Sequence, residues 1–526
     1  MNLLDRAINY VSPAWALKRE QARIAASLWN ASYAGASLTS RKMQHWLPAK
    51  GSANADYSQE EQSVLIARCR DAHRNQSLAR AAVDRLKHNV VGGGLKLQSH
   101  IDWEVLGISQ EQASAQERLI ESEFEHWCKH CDLERTLSFS KLQALCLVSM
   151  LISGDVFVNT PFVERPECEY GLKLQVIEAD RVNNPNFGLD TTTLRRGVEL
   201  DEWGAPAAYH IMSQHPGDDL LTEWHWDRFT AFGEQTGQRR IFHVFEKERS
   251  GQTRGVPYLA PVLEPLKQME RYTDAELTAA VVASLFTVFV QSESGFTLSQ
   301  ATESTPSGPL EKDQINLGPG AIVNLLPGET VQFANPNRPN TAYDPFMQAL
   351  LRQVGAALSL PVELLQLSFL SSYSAARAAL LQAWKLICFQ RSIMVEQLCQ
   401  PVFELWFDEF IARGKLELPN YDNITKWAYT RATWIGPARG AIDENKEVQA
   451  ARDRIELGIS SRQIEAEELQ GVDWLDIHKE LMIEQKLRRE AGLELTAAGA
   501  PARLPVPVLS AEEIDQQEAL AARRTW

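Results

Sequence analysis

The residues best suited to metal chemistry are His126, Cys128, His130 and Cys131, in the segment "HWCKHC". A Cys-x-x-Cys pair offers two thiolates to zinc, but a structural zinc site needs two more ligands at matching spacing. The sequence contains no second Cys-x-x-Cys and no His pair to supply them. On a helix, Cys128 and Cys131 share a face from which His130 points away. The spacing therefore favours ordinary packing, with a metal site on these side chains as the weaker alternative.

The other segments that resemble catalytic motifs lack an essential part. "GGGLK", residues 92–96, follows a predicted helix and precedes a predicted strand, whereas a phosphate-binding loop opens a helix and ends in Gly-Lys-Ser/Thr. Neither Gly-x-Ser-x-Gly nor His-Glu-x-x-His occurs. Asp155 and Asp180 are predicted turn and strand-end residues. We therefore expect neither an enzyme nor a cofactor.

One basic run could contact phosphate. Lys247, Arg249 and Arg254 lie close together, but Glu246 and Glu248 are interspersed among them and weaken the positive patch. We interpret this segment as a solvated loop or as a salt-bridge surface between subunits.

The composition is that of a globular protein of a few domains. The 526 residues are 44% hydrophobic and 23% charged, with a net charge of −15. Such acidity argues against a surface that grips nucleic acid throughout, since phosphate binding needs Lys and Arg facing the polymer. It is compatible with a surface past which DNA slides without being held. The seven cysteines, irregularly spaced, favour a reducing compartment over a disulfide framework.

No segment predicts export or membrane insertion. The first 20 residues carry charges too early for a secretory signal. The longest nearly uncharged helical run, residues 277–290, is shorter than the roughly 20 residues that a span requires. We expect a chain that is soluble and cytoplasmic when it is synthesised.

The periodicity predicts an α+β fold. Helical patterns cover residues 57–90 and 111–155, short β runs follow over 156–212, and Gly residues at 92–94 end the first helical region. Two later helical runs, 262–290 and 343–361, flank a polar insertion that contains short β runs. A long helix is predicted from Ser374 to Arg413, kinked at Pro401. Three shorter helices follow, and Ser460 with Gln463 forms a predicted capping box.

The front of the long helix carries an unusual cluster of hydroxyl groups. The segment "QLSFLSSYS", residues 366–374, holds four serines and a tyrosine directly before a helical pattern. By themselves, these residues indicate a plain turn in which Ser374 caps the helix.

Six blocks in order resemble the portal proteins of lambda-like bacteriophages. They include "ARAAVDRLKHNVVGGGLKLQ", "LQVIEADRV", "HVFEKERSGQTRGVPYLAPVLEPLKQMERYTDAELTAA" and "WIGPARGAIDENKEVQAARDRIELGISSRQ", and together they span about residues 74–463. The resemblance implies a ring, usually of twelve subunits, at one capsid vertex. It also implies a portal-protein fold with an α+β wing, a helical stem, a small β-containing clip and a helical crown.

Mapped onto this chain, the resemblance implies eight segments. They are an N-terminal arm (1–56), the first part of the wing (57–261), a stem helix (262–290), the clip (291–340), a second stem helix (341–361), the channel loop with the second part of the wing (362–440), the crown (441–492) and a flexible tail (493–526). The arm is predicted either to be a disordered leader or to pack on a neighbouring subunit.

The resemblance also assigns functional residues. The loop facing DNA in the channel would comprise Gln366, Ser368, Ser371, Ser372, Tyr373 and Ser374, with possible DNA contacts at Arg377 and Lys385. The clip would bind partners through Ser292, Glu311, Lys312, Asp313 and Gln314.

The implied partners are those of a genome-packaging machine. They are further copies of the chain, the major capsid and scaffold proteins, the terminase large subunit, a head–tail adaptor and, transiently, double-stranded DNA. The implied location is the virion, after assembly in the host cytoplasm. The alternative is another structural ring, baseplate or connector protein of the virion that has no role with the DNA motor.

Overall fold

The computed structural model describes residues 51–218, 224–284, 341–369, 372–418, 421–422, 424–440 and 443–491, Trp15 and Lys18, and the strands Val288–Ser292 and Glu329–Phe333. The chain divides into two compact units, residues 1–437 and 438–526. Helices and strands alternate in the first unit, whereas the described part of the second unit is helical, so the protein is α+β.

Helices dominate the beginning of the first unit. They are α1 (Gln59–Asn75), α2 (Ser77–Val90), α3 (Trp103–Leu106), α4 (Gln110–Cys128) and α5 (Phe139–Ser153). Ser58 begins α1 with a full capping box, since its side chain accepts from the Glu61 amide and Glu61 accepts from the Ser58 amide. The helical pattern predicted over 57–90 is thus two helices, which are separated at Gln76.

The strands form four antiparallel sheets among the described residues. β1 (Lys96–Ser99) pairs with β11 (Ala432–Ile435), so sequence-distant segments meet. β2 (Asp155–Asn159) lies between β3 (Gln175–Ile177) and β8 (Ile241–Phe245). The order β4-β5-β6-β7 joins Leu194–Arg195, Val198–Leu200, Pro206–Met212 and Trp226–Thr230. β9 (Val288–Ser292) pairs with β10 (Glu329–Phe333). The sequence patterns missed β7 and β11.

The glycine cluster after α2 is required by close packing. Gly92 has φ +54, and a Cβ there would lie 2.5 Å from Pro437 Cγ. Gly94 has φ +120, and a Cβ would lie 2.2 Å from Ser140 Oγ. Only glycine adopts such angles without strain and also leaves this space. These glycines therefore end α2, as predicted, and lead the chain into β1.

Two long helices flank the β9–β10 pair. α6 (Leu263–Ser284) follows a short 3₁₀ turn, and α7 (Tyr343–Ala357) follows the pair. The helical run predicted to reach residue 290 is wrong at its end, because Val288–Ser292 is a strand. The β-branched and aromatic residues of "VFVQS" favour a strand once a partner strand is present, and Val288 pairs with Phe333.

The predicted long helix contains a π turn. α8 (Val362–Gln366) precedes α9 (Tyr373–Met394), a π turn spans Val395–Cys399, and α10 (Gln400–Ala412) continues the chain. The Gln400 amide donates to the Val395 carbonyl, five residues back. Pro401 has no amide hydrogen to donate to the Gln397 carbonyl, and the wider π turn directly before it leaves room for the proline ring. The structure therefore has a π turn where we expected a kink at Pro401.

Aromatic side chains fill the core of the first unit. Phe124 on α4 meets Phe403 and Trp406 on α10 edge-to-face, with ring centroids 5.4 and 5.0 Å apart. Trp434 on β11 closes the cluster. Edge-to-face pairs add attraction beyond burial alone, so this cluster fastens the late helix and strand to the early helices. A smaller core lies between the two larger sheets.

The second unit contains α12 (Glu444–Glu456), α13 (Arg462–Gln470) and α14 (Trp474–Glu490), preceded along the chain by α11 (Lys426–Tyr429) of the first unit. Arg454 holds Glu465 with two hydrogen bonds of 2.7 and 2.5 Å, which ties α12 to α13. The cap of α13 is Ser461, whose side chain accepts from the Ile464 amide, and the predicted Ser460–Gln463 capping box is wrong.

Candidate nucleic-acid interface

The loop of interest follows a rigid corner at the end of α7. The Leu360 amide donates to the Gly355 carbonyl over 2.9 Å, and the Tyr258 hydroxyl donates to the Leu358 carbonyl. A Cβ at Gly355 would lie 2.6 Å from the Leu360 carbonyl oxygen, so this return needs glycine. Leu358 and Leu360 are buried. The corner therefore fixes the position from which α8 and the loop project.

The segment between α8 and α9 presents apolar as well as polar groups. Leu367 ends α8 with φ +54, in the left-handed region. Leu367 and Phe369 are each about half exposed, whereas Ser368 is partly buried. Gln366 is exposed. Ser371 lies outside the described residues, as does the side chain of Tyr373. The sequence interpretation stressed hydroxyls and missed Leu367 and Phe369, although both stand in the quoted segment.

The cap of α9 is Ser372, not Ser374. The Ala375 amide donates to Ser372 Oγ over 3.4 Å, and the Ser374 hydroxyl lies 3.3 Å from the same oxygen. The helix begins one residue earlier than predicted, at Tyr373, so Ser374 falls inside the first turn. Ser374 is exposed there and its hydroxyl faces solvent beside the cap.

Basic side chains lie one to three turns into α9. Arg377 is partly buried and Lys385 is exposed. Lys385 lines a groove of about 700 Å³ that α9 forms with α8 and the end of α7, together with the exposed Arg352 and with Glu363. The two cations thus lie behind the loop rather than on it. Of these two, Lys385 lines the groove and Arg377 does not.

The predicted clip residues are only partly within the described structure. Ser292 is the last residue of β9 and pairs with Glu329 at the start of β10. The chain from 293 to 328 lies outside the described residues, and with it Glu311, Lys312, Asp313 and Gln314. The strand predicted at "ETVQFA" is confirmed as β10, whereas its partner β9 was predicted as the end of a helix.

In the basic loop before α6, Lys247 and Arg249 are exposed, as predicted, whereas Arg254 is buried. Arg254 is 1% exposed and holds Asp155 through two nitrogens at 2.5 and 3.1 Å. Its other hydrogen bonds go to carbonyls of Ala179, Val182 and Arg196. The solvated loop that we predicted is therefore wrong for Arg254. Nothing in the sequence spacing brings Asp155 and Arg254 together, since the sheet around β2 does so.

This ion pair sets the local pKa values. Burial acts to raise the pKa of Asp155, but Arg254 and a hydrogen bond from His243 at 3.2 Å outweigh it and hold that pKa well below its usual range. Burial lowers the pKa of His243 despite the same carboxylate. Within the described residues the network is closed from solvent, which suits a structural role.

The "HWCKHC" segment behaves as a helix end. Cys131 Sγ donates to the Cys128 carbonyl over 3.5 Å. Burial raises the pKa of both thiols, which opposes the thiolate form that zinc requires. In the described part of the chain no group of three or more His, Cys, Asp or Glu side chains could hold a metal ion. The helices described there also include none long and apolar enough to cross a bilayer.

The family model "Phage portal protein, lambda family" matches residues 39–391, which is more than half of the chain. The chain belongs to the lambda family of phage portal proteins. It is thus a structural component of a phage particle. The match includes α1 to α8, the loop after α8 and most of α9.

The alignments of this portal protein with related proteins cover most of both chains. Portal protein B of Escherichia phage lambda is 26% identical over 464 residues, 83% of this chain and 86% of that protein. The portal protein of Escherichia phage N15 is 27% identical over 515 residues, 91% and 94%. The probable portal protein of Halomonas phage phiHAP-1 is 26% identical over 431 residues, 78% of each. The resemblance drawn from the six sequence blocks is confirmed.

Among solved structures, this portal protein is similar to a chain in the neck of a native gene transfer agent particle, computed with C12 symmetry. That chain is 11% identical, with a TM-score of 0.42, and the alignment covers 79% of this portal protein and 95% of the other chain. A chain from the neck of the empty particle gives the same values.

Proposed function

We propose that this portal protein forms a homo-oligomeric ring at one capsid vertex and that DNA passes through the ring during packaging and ejection. The observation that carries the proposal, beside family membership, is the outer part of α6. No residue from 270 to 281 is buried, and Leu277 is 64% exposed. Apolar helix surface of this kind needs cover, which neighbouring subunits in a closed ring provide.

The stem of the ring would be built from α6 and α7. These helices meet near the start of α7, where Tyr272 stacks on Tyr343 at 5.5 Å and touches Phe346 edge-on. Phe346 remains 48% exposed. Because the two helices contact each other at one end within a subunit, their remaining apolar residues are available for contacts between subunits. The family resemblance suggests twelve subunits.

The channel loop, residues 366–374, would face DNA within this ring. The exposed Gln366, Ser372 and Ser374 support this assignment, because amide and hydroxyl groups form weak phosphate contacts that exchange as DNA moves. Leu367 and Phe369 add exposed apolar surface that does not hold phosphate. Arg352 and Lys385, behind the loop, would contact the backbone only at the groove.

The β9–β10 pair would be the base of a clip that docks first the terminase large subunit and later a head–tail adaptor. An exposed insertion between two helices suits exchangeable partners. Capsid and scaffold proteins would contact the wing, and assembly would occur in the host cytoplasm. Deleting residues 293–314 spares Ser292 and its pairing with Glu329, so rings should form while terminase binding is lost. Unchanged packaging by that deletion variant would refute the clip assignment.

The portal protein would have no catalytic role of its own. Purified protein should not hydrolyse ATP or cut DNA, because the sequence contains no phosphate loop. Turnover that is lost on changing a single residue of this chain would contradict this proposal.

Two measurements test the ring. Mass determination of the purified protein in solution should give a large homo-oligomer, and electron microscopy should show rings with a central hole. A monomer at high protein concentration would overturn the proposal. Rings that assemble into particles but are dispensable for DNA packaging would instead favour a connector without a role in the DNA motor.

A further inference from the structure

The chain enters α1 through an anchored segment. Residues 51–57 lie against the loop before α6, where Arg249 donates to the Gly51 carbonyl over 2.8 Å and Asn54 donates to the Gly251 carbonyl over 2.9 Å. Arg249 also pairs with Asp56. These contacts therefore fix the position of Gly51, which follows residues 1–50 along the chain.

A cavity of about 360 Å³, here named the arm groove, opens beside this point. It lies between the first turns of α1 and the segment from Ala179 to Leu189, and its wall is formed by Ile66, Val182, Phe187, Leu189 and Pro216. Leu189 is 81% exposed and Phe187 is 39% exposed. Apolar groups held open to solvent in a concave site are typical of surfaces that bind another chain.

The backbone of the arm groove is strained to hold this aromatic wall. Asn186 and Phe187 are consecutive non-glycine residues with φ of 55° and 53°. A bulky residue in the left-handed region is a genuine outlier, and such strain persists only where the surroundings impose it. Trp224 and Trp226 do so, since their rings meet Phe187 edge-on at 4.9 and 5.5 Å.

A buried cation at the groove has an unused donor. Arg196 is 1% exposed, and its Nη atoms donate to the Tyr57 carbonyl, to Asn54 and to Thr253. Its buried Nε has no acceptor among the described residues. Asn54 belongs to the anchored segment, so the residue that lines the groove also holds the end of the arm. A peptide carbonyl seated in the groove would accept from this nitrogen.

The rim of the arm groove is acidic. Glu60 is exposed in the first turn of α1, and Asp180 lines the opposite side. Asp180 and Glu178 share two partners, Arg70 and His215, at 2.5 to 4.0 Å, and Glu60 is a further carboxylate in the lining. An occupant with basic side chains would complement this rim, and partial burial strengthens such pairing.

The arm has the matching composition. Residues 21–55 contain no Asp or Glu in a chain whose net charge is −15. The stretch "SRKMQHWLPAK", residues 40–50, carries Arg41, Lys42 and Lys50 around the apolar Trp46 and Leu47. It ends directly before Gly51, where the anchored segment begins.

We propose that residues 40–50 dock into the arm groove of their own subunit. Trp46 and Leu47 cover Phe187 and Leu189, the basic residues face Glu60, and a backbone carbonyl accepts from Arg196 Nε. At roughly 3.3–3.6 Å per residue, these residues reach at most about 36–40 Å back from Gly51. The short tether favours the groove of the same chain over that of a neighbour, since it raises the local concentration of the arm.

Disulfide trapping in the full chain tests the proposal. Trp46→Cys is combined with Leu189→Cys, in a Cys388→Ser background that removes the exposed native thiol. The matched control pairs Trp46→Cys with Trp203→Cys, because Trp203 is also strongly exposed and does not line the arm groove. Mild oxidation should link the first pair several-fold faster than the control pair. The product should keep the mass of a single chain, with the linked peptides identified by mass spectrometry.

Charge reversal supplies the second arm of the experiment. Arg41→Glu with Lys42→Glu should reduce the trapping rate toward that of the control pair, and Arg23→Glu, outside the docking stretch, should leave it unchanged. Links between chains, or equal rates for the two pairs, would overturn docking within the subunit. The readout needs neither ring assembly nor DNA, so its failure is distinguishable from failure of the proposed portal function.

Discussion

At the residue scale, hydrogen bonds assign structural roles to Ser372 and to the network of Asp155, His243 and Arg254. Ser372 caps α9, whereas Ser374, two residues later, is exposed in the first turn. Asp155, His243 and Arg254 form a closed buried network that holds the sheet around β2 against the loop before α6. The hydroxyl cluster therefore contains one serine with a structural role, Ser372, and an exposed one, Ser374, whose hydroxyl lies 3.3 Å from Ser372 Oγ.

Removing the cap should destabilise the subunit. Ser372→Ala should lower the free energy of unfolding by about 1 kcal/mol, because the Ala375 amide at the start of α9 loses its acceptor. Ser374→Ala is the matched control and should cost much less. Denaturant midpoints measured on both variants check this. Equal losses, or a larger loss at Ser374, would contradict the cap assignment.

Acidification should weaken the first unit through His243. Its pKa is lowered in the folded state by burial, so between about pH 6.5 and that lower pKa the unfolded chain binds more protons. Stability therefore falls as the pH drops through this window. The melting temperature of the parent should decline from pH 7 to pH 5, and that of His243→Gln should decline less steeply.

The control for this pH series is His225→Gln, since His225 is exposed at the start of β7 and pairs with Asp227. It should follow the parent curve. The groups that face His243 are Asp155 and Arg254, with Arg239 further off, and both Asp155 and Arg254 stay charged in this range. If the melting temperature of His243→Gln declined with pH as steeply as that of the parent, His243 would not be the cause of the acid sensitivity.

At the scale of elements, the unit of function is a helix pair with a β insertion. α6 and α7 touch near the start of α7, and β9 and β10 extend the insertion as an antiparallel pair. The π turn connects α9 to α10, and α10 carries Trp406 into the aromatic core. These elements leave apolar stem surface that a subunit alone does not cover.

A charge on the stem should block assembly. Leu277→Asp should prevent ring formation, because the carboxylate would have to be buried between subunits without a partner. Thr278→Asp is the matched control, with the same charge at the adjacent exposed residue, and should retain a larger oligomer fraction. Sedimentation of both variants measures this difference. Intact rings of Leu277→Asp would show that Leu277 faces solvent in the assembly.

At the scale of the whole molecule, the proposed ring would repeat a change in one chain in every subunit. The net charge of −15 per chain would then repel DNA at long range, and small contacts at the channel loop would add up over all copies. The cations at Arg352 and Lys385 lie in a groove behind this loop. The loop surface nearest to DNA would then be uncharged, with polar groups beside the apolar Leu367 and Phe369.

Adding a cation to the loop should slow DNA in a salt-dependent way. Ser374→Arg places one new charge per subunit beside the phosphates without removing the Ser372 cap, and each neutralised phosphate strengthens binding through counterion release. Packaging should stall at low salt and partly recover at higher salt. Ala115→Arg, at an exposed position on α4 that lines neither the loop nor the groove, is the matched control. A Ser374→Arg variant that packages like the parent at every salt concentration would refute the lumen assignment.

The sequence by itself determined the class, the order of elements and the family. The hydrophobic periodicity and the positions of glycines predicted most helices of the first unit and the region of the short strands β2 to β6, because local periodicity follows from burial on one face. Six blocks of residues in a fixed order were sufficient to indicate the portal family. The segment limits of wing, stem, clip and crown stay predictions, as do the DNA-facing and partner-binding residues.

Only the tertiary structure decided the features that depend on distant residues. The pairing of β1 with β11, the burial of Arg254 against Asp155 and the strand Val288–Ser292 each need a partner that lies far along the chain. The cap at Ser372 and the π turn before Pro401 depend on helix phase, which a sequence pattern locates only to within a residue or two. Local propensity sets which residues can form an element, whereas packing decides where it begins and what it touches.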